Sequence, residues 1–185
     1  MLHLKVFHVE HLRRARGQSL VEFVLFVTIL FVMLAGVLDL GALLDAHLAV
    51  TYAARQGALG AAAAGNAATA DCDALGAVAV AIGTHTGLAV TRISIYQPGS
   101  DGLPLGGLGS SAYADVYAGD PGCASEASAP VAQATNWLPA SRVPAFTPPA
   151  MLGVEIDYTY TWQTPLIASG TLSVVDHVVV PLNPG

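Results

Sequence analysis

The sequence predicts an α+β chain: a long N-terminal helix that crosses a membrane and continues as a stalk, then a small antiparallel β-sheet head. Three observations carry that prediction. The sixteen residues from Phe23 to Leu38 hold no charge and are bracketed by Glu22 and Asp39. Residues 45–70 are alanine-rich and free of proline, so nothing there stops the helix. Val154–Trp162 alternates strictly, with Val154, Ile156, Tyr158, Tyr160 and Trp162 on one side and Glu155, Asp157, Thr159 and Thr161 on the other. That period of two marks a half-buried strand.

Composition sets the class. Hydrophobic residues make up 54% of the 185 and charged ones 11%, with a mean hydropathy of +0.57. Such a chain is too apolar for disorder and unusually apolar for a soluble domain. Residues 1–17 carry Lys5, Arg13, Arg14 and Arg16 against Glu10, a net of +3, whereas residues 18–185 carry three arginines against twelve acids. This acidic balance excludes a basic footprint for nucleic acid. A basic start before one apolar span keeps residues 1–17 cytoplasmic and sends the remainder across the cytoplasmic membrane.

The organisation that follows is a basic leader over 1–17, a transmembrane helix over 18–44, a helical stalk over 45–70 and an extracytoplasmic α+β head over 71–185. A bilayer core of roughly 30 Å takes about 20 helical residues. The uncharged run is slightly shorter, so one or both flanking carboxylates lie at the membrane surface or are paired within it. A removable secretory signal cut near Ala46 is the alternative, but the apolar run exceeds a usual h-region and continues into helix-favouring sequence.

Within the head, Asp73–Thr84 has helical composition, with Asp71 able to cap its start and Gly83 and Gly87 to stop it. Ala89–Tyr96 and Thr171–Val180 are β-branched runs ended by prolines, and Thr164–Gly170 reads as the connection of a hairpin. The stripe Tyr158, Tyr160 and Trp162 is explained by packing on the stalk more simply than by a ligand platform. Pro98–Gly109, Gly119–Ala134 and Pro139–Pro149 read as loops, either partner-contacting or plain solvent-exposed connectors. Cys72 and Cys123 both follow the span; one disulfide in an oxidising compartment and two reduced thiols are the alternatives. No nucleophile elbow, phosphate loop or His-Glu-x-x-His motif occurs, and His47, His85 and His177 lack ligand spacing, so neither enzyme activity, cofactor nor metal is expected. Asp71 and Asp73 beside Cys72 fall short of the six to eight oxygens calcium takes.

The charge boundary carries the sharpest motif: Arg13-Arg14-Ala15-Arg16-Gly17-Gln18-Ser19-Leu20-Val21-Glu22-Phe23. It resembles the class III signal of type IV pilin-like proteins. The resemblance implies that a prepilin peptidase cuts between Gly17 and Gln18, that the helix stays on the mature chain, and that Glu22 becomes its fifth residue. In that family the glutamate pairs with the N-terminal amine of a neighbouring subunit; an interfacial carboxylate favoured by the helix dipole is the plainer reading. Together with Gly36-Val-Leu-Asp39-Leu-Gly41 and Ala53-Ala-Arg55-Gln-Gly57-Ala, the motif looks like TadE, a pseudopilin-like component of the tight-adherence (Flp) pilus machinery. The likeness is strong over residues 13–60. It implies a pilin-like architecture, a single-pass protein of the cytoplasmic membrane or a surface pilus, and as partners the prepilin peptidase, other pilin or pseudopilin subunits, the assembly platform and membrane lipid. Asp39 then reads either as a polar contact to another subunit's helix or as a carboxylate reaching the interface. An unprocessed single-pass protein whose head binds a ligand or envelope partner is the alternative function.

Overall fold

One helix, α1 (His3–Ala64), runs through the whole N-terminal third of the chain. The structure, a computed structural model, describes residues 3–119, 123, 132–143, 150–164 and 169–182, with side chains from Gln18 onward. No proline interrupts α1, and it ends where Gly65 adopts φ +60°, its amide donating to the Ala61 carbonyl at 3.0 Å. A short link leads to α2 (Ala70–Ile82), closed by Gly83 at φ +58°. Thr69 occupies the N-cap position, so the expected cap by Asp71 does not form. Asp71 sits inside the first turn, and its carboxylate is taken by side chains from the sheet, as described below.

Five strands follow: β1 (Leu88–Tyr96), β2 (Ala114–Ala118), β3 (Ala132–Thr135), β4 (Met151–Thr161) and β5 (Thr171–Pro181). They form one antiparallel sheet in the order β3-β2-β1-β4-β5. β4 and β5 pair without a break from Met151↔Pro181 to Thr161↔Thr171, while a bulge interrupts β1 against β4 between Val90 and Arg92. The period-two alternation of β4 is realised: Leu152, Val154, Ile156, Tyr158 and Tyr160 are buried on one face.

That face receives the helices. Ala46, Val50, Ala53, Ala54, Gly57, Ala58 and Ala61 of α1 recur every three or four residues and are buried against α2, β4 and β5. Small side chains let the backbones come close. A Cβ on Gly57 would fall 2.5 Å from Val78 Cγ2, so the α1–α2 crossing admits nothing larger than glycine without a shift. Residues 46–64 are therefore the spine of the head's core.

The other face of the sheet is covered by its own chain. The Gly/Pro-rich stretch after β1 folds back over it: Tyr96 donates its hydroxyl to the Gly102 carbonyl at 3.0 Å, and Arg92 donates to Gly109 O at 3.1 Å. Tyr96 lies flat over Gly153 and packs with Ala114, Val116 and Val179. Its phenol is pushed up in pKa by burial, then by the nearby Glu155 and Asp101 charges. Pro98–Gly109 is a loop, as expected, and these bonds hold it against the sheet. Ala132–Ala134, expected as loop, belongs to an edge strand.

Candidate functional site

The apolar half of α1 stands apart from the head. From Gln18 to Leu38 no residue is classed as buried, and Phe23, Phe26, Phe31, Met33 and Leu38 are each about two-thirds exposed. Among the described residues this is one helix long and apolar enough to cross a membrane. Gln18 and Glu22 lie at its start, the Gln18 amide donating to Glu22 Oε1 at 3.3 Å one turn on, both exposed. Gly17 is part of the continuous helical backbone; the side chains of the leader over 1–17 lie outside the described residues.

Asp39 marks where the head begins. It is 2% exposed, and its carboxylate accepts from both the backbone amide (3.2 Å) and the hydroxyl of Thr164, just past β4. A buried carboxylate without such donors would cost several kcal/mol. Two more polar ties join α1 to the sheet above it. His47 Nδ1 lies 3.0 Å from the Tyr158 hydroxyl, and Thr51 donates to Asp176 of β5. Asp39, His47 and Thr51 thus fix both the height and the rotation of the head on its helix. Tyr158 and Tyr160 are buried in this contact, and desolvation raises the pKa of both. Tyr158 and Tyr160 accordingly pack against α1, whereas Trp162, the third residue of the stripe, lies past the end of β4, partly exposed and edge-on to Tyr160.

The other concentration of charge is inside the head. Arg142 is 1% exposed, with Nη1 2.5 Å from Asp71 Oδ1 and Nη2 3.1 Å from Asp115 Oδ2. Its guanidinium lies 4.8 Å from the Trp137 ring centroid and donates to the Trp137 carbonyl at 3.1 Å. Tyr117 donates to Asp71 Oδ2 at 2.8 Å, and the Trp137 amide donates to Asp115 Oδ1 at 3.0 Å. One cation thus serves two carboxylates. Burial pushes Asp115 up to about 6, helped by the charge of Asp71 and opposed by the Trp137 amide and Arg142. The cluster ties the start of α2 to β2 and to the turn before β4. Beside it Cys72 and Cys123 form a disulfide, with Cα atoms 5.3 Å apart.

A second ion pair lies on the outer face, where Arg92 Nη2 is 2.7 Å from the buried Glu155 and Nε is 3.4 Å from Asp157. Desolvation raises both carboxylates, with Arg92 pulling them back. These clusters hold the chain together; neither brings a nucleophile and a base into a cleft. The three histidines stay apart: His47 meets Tyr158, His85 Nδ1 lies 3.2 Å from Asp45, and the backbone amide of His177 donates to Asp176. Among the described residues no group of three or more His, Cys, Asp or Glu could hold a metal ion.

Gly17, the exposed apolar stretch of α1 with Glu22 near its beginning, and the small-residue continuation of that helix form one contiguous segment. Residues 17–59 match the family model described as TadE-like protein. No curated protein and no solved structure matches the chain. The TadE-like segment starts at Gly17 and ends within the buried spine, so it covers Gln18, Glu22 and Asp39 but none of the sheet. TadE-like proteins are components of the tight-adherence pilus system, and not an enzyme family. Sequence reasoning missed the pairing of Arg142 with Asp115 and Asp71, because 27 and 71 residues separate them and the turn holding Arg142 reads only as proline-rich loop.

Proposed function

We propose that this chain is a minor pilin or pseudopilin of a tight-adherence pilus. In this reading a prepilin peptidase cuts it after Gly17, α1 anchors it in the cytoplasmic membrane, and it joins other subunits on the extracytoplasmic side. The match of residues 17–59 to the TadE-like family is the observation that carries the reading. Exposure along α1 supports it. Beyond the span, Leu48, Tyr52 and Leu59 remain exposed on the face turned away from the head. This apolar stripe, at helical spacing and outside the hydrocarbon, suits packing against the helices of neighbouring subunits.

Gly17 has a second use in this reading. A protease needs extended backbone, and the junction is helical. Glycine inside a helix costs about 1 kcal/mol relative to alanine, so the helix opens there at least expense. Once cut, the amine of Gln18 begins the mature chain, and Glu22 of an adjoining subunit is the carboxylate placed to receive it.

Intact mass of the protein from native membranes, with and without the host's prepilin peptidase, tests this. Peptidase-dependent loss of residues 1–17, leaving Gln18 first, is expected. A mass that never depends on the peptidase would sink the processing step and leave an anchored binding protein.

A further inference from the structure

We infer that the lower rim of the head rests on the bilayer surface, with Trp162 in the lipid headgroup layer and the Asp39–Thr164 contact setting that depth. The inference rests on the membrane-anchored reading of α1 given above.

The first reason is length. From Glu22 to Asp39 the helix rises about 25 Å over seventeen residues, against roughly 30 Å of hydrocarbon. The head's first tie to α1 therefore falls at the outer edge of the hydrocarbon, leaving no exposed neck between membrane and head. The second reason is direction. β4 descends α1: Gly57 packs near Val154, His47 meets Tyr158 and Asp39 meets Thr164, so the end of β4 and the start of β5 point to the membrane. The turn 83–87 reaches the same level, since His85 pairs with Asp45 and the Gly87 carbonyl accepts from the Thr161 amide at 2.8 Å. Gly87 fits closely there, because a Cβ would fall 2.4 Å from Gln163 Nε2.

The third reason is chemistry. Residues 83–87, 161–164 and 169–172 contain no Asp, Glu, Lys or Arg, although ten of the thirteen acids follow Leu44. The rim offers Thr84, Thr86, Thr161 and Gln163 as neutral hydrogen-bonding groups. Trp162 stands edge-on to Tyr160 with centroids 5.8 Å apart, and Leu172 is 39% exposed. Tryptophan and tyrosine concentrate at the membrane–water interface, where an apolar ring and a polar edge are both satisfied. Apart from the exposed Asp45 on α1, which lies beside His85, the rim carries no charge, so it reads the interface itself more than the headgroup's charge.

The test uses the full chain in phosphatidylcholine vesicles containing lipids brominated either high or low on the acyl chain. Flotation is measured alongside tryptophan quenching. The chain has two tryptophans, and Trp137 is buried in the head. We expect quenching by the shallow label to exceed that by the deep one, and Trp162→Phe to abolish most of it. Asp39→Ala should still float, retain its near-ultraviolet dichroism, and lose about half of the shallow quenching as the rim lifts. Flotation with equal quenching of wild type and Trp162→Phe overturns the inference alone, and points to a neighbouring subunit or water at the rim. Protein that fails to float overturns the anchored reading and this inference with it.

Discussion

Replacing Arg142 by methionine should destabilise the head more than any single substitution on its surface. Arg142 lies between Asp71 at 2.5 Å and Asp115 at 3.1 Å, with no appreciable exposure. Methionine keeps much of the volume and the contact with Trp137 but leaves two carboxylates facing each other without a cation. Removing one partner of a buried pair costs about 3–5 kcal/mol, a large part of the 5–15 kcal/mol that holds a domain folded. For a chain of this size that is a fall in melting temperature on the order of 10 °C. The loss has a pH signature. Asp115 is already pushed up to about 6 by burial, so in the parent protein its contribution is complete below the ordinary value near 3.8 and fades as pH rises through about 6. Without Arg142, which opposes that rise, Asp115 holds its proton more tightly still. The deficit of the variant should therefore be greatest near pH 7 and shrink toward pH 4, where Asp115 is protonated. Thermal unfolding of the detergent-solubilised full chain, followed by circular dichroism from pH 4 to 7.5, measures this. A deficit under 1 kcal/mol at pH 7, or one of constant size across the range, would refute the reasoning. Adding Asp115→Asn to Arg142→Met should recover part of the loss at pH 7, because one of the stranded charges is gone.

Gly153→Ala is expected to cost about 1–3 kcal/mol by overpacking, since the new Cβ would lie 2.2 Å from the Tyr96 ring; the same change at the exposed Gly41, which has nothing within 4 Å, should be neutral or slightly stabilising in the same melt. Reducing Cys72–Cys123, which closes a loop spanning 51 residues, should lower stability by about 4 kcal/mol in the chain-entropy account. Thiol labelling of the exported protein with and without reductant checks that the bond forms in the host, and full labelling without reductant would exclude it. Glu22→Ala should leave cleavage after Gly17 intact while reducing recovery of the subunit in sheared pili; normal recovery would remove the pairing role.

The sequence made legible what periodicity and charge determine locally. α1 is visible because Phe23–Leu38 lacks charge and residues 45–64 lack proline, β4 because large apolar and polar residues alternate in it, and β5 because it is a β-branched run ended by proline. β2 and β3 were not, because Ala114–Ala118 and Ala132–Thr135 carry mostly small side chains and become strands only by pairing with β1 and each other. Likewise the acidic residue Asp71 has the sequence signature of a helix cap, but Arg142 and Tyr117 outbid the α2 backbone for its oxygens. The polar ties from α1 at Asp39, His47 and Thr51 depend on Thr164, Tyr158 and Asp176, more than a hundred positions away. No local pattern announces such partners; they follow from the antiparallel run of β4 along the helix.

The sheet order β3-β2-β1-β4-β5 carries a consequence for how the protein is made. In the proposed anchored topology the chain beyond the span emerges in sequence order, with α2 and β1–β3 well before the last 35 residues. Until β4 and β5 arrive, the alanine spine of α1 has half its covering, and Asp39 and Thr51 have none of the hydrogen bonds that Thr164 and Asp176 give or take. The head thus closes only when the last two strands are in place. Completion of the head is registered on the helix itself, at Asp39 and Thr51, so that a chain truncated after β3 would keep α1 and yet leave its apolar seam bare.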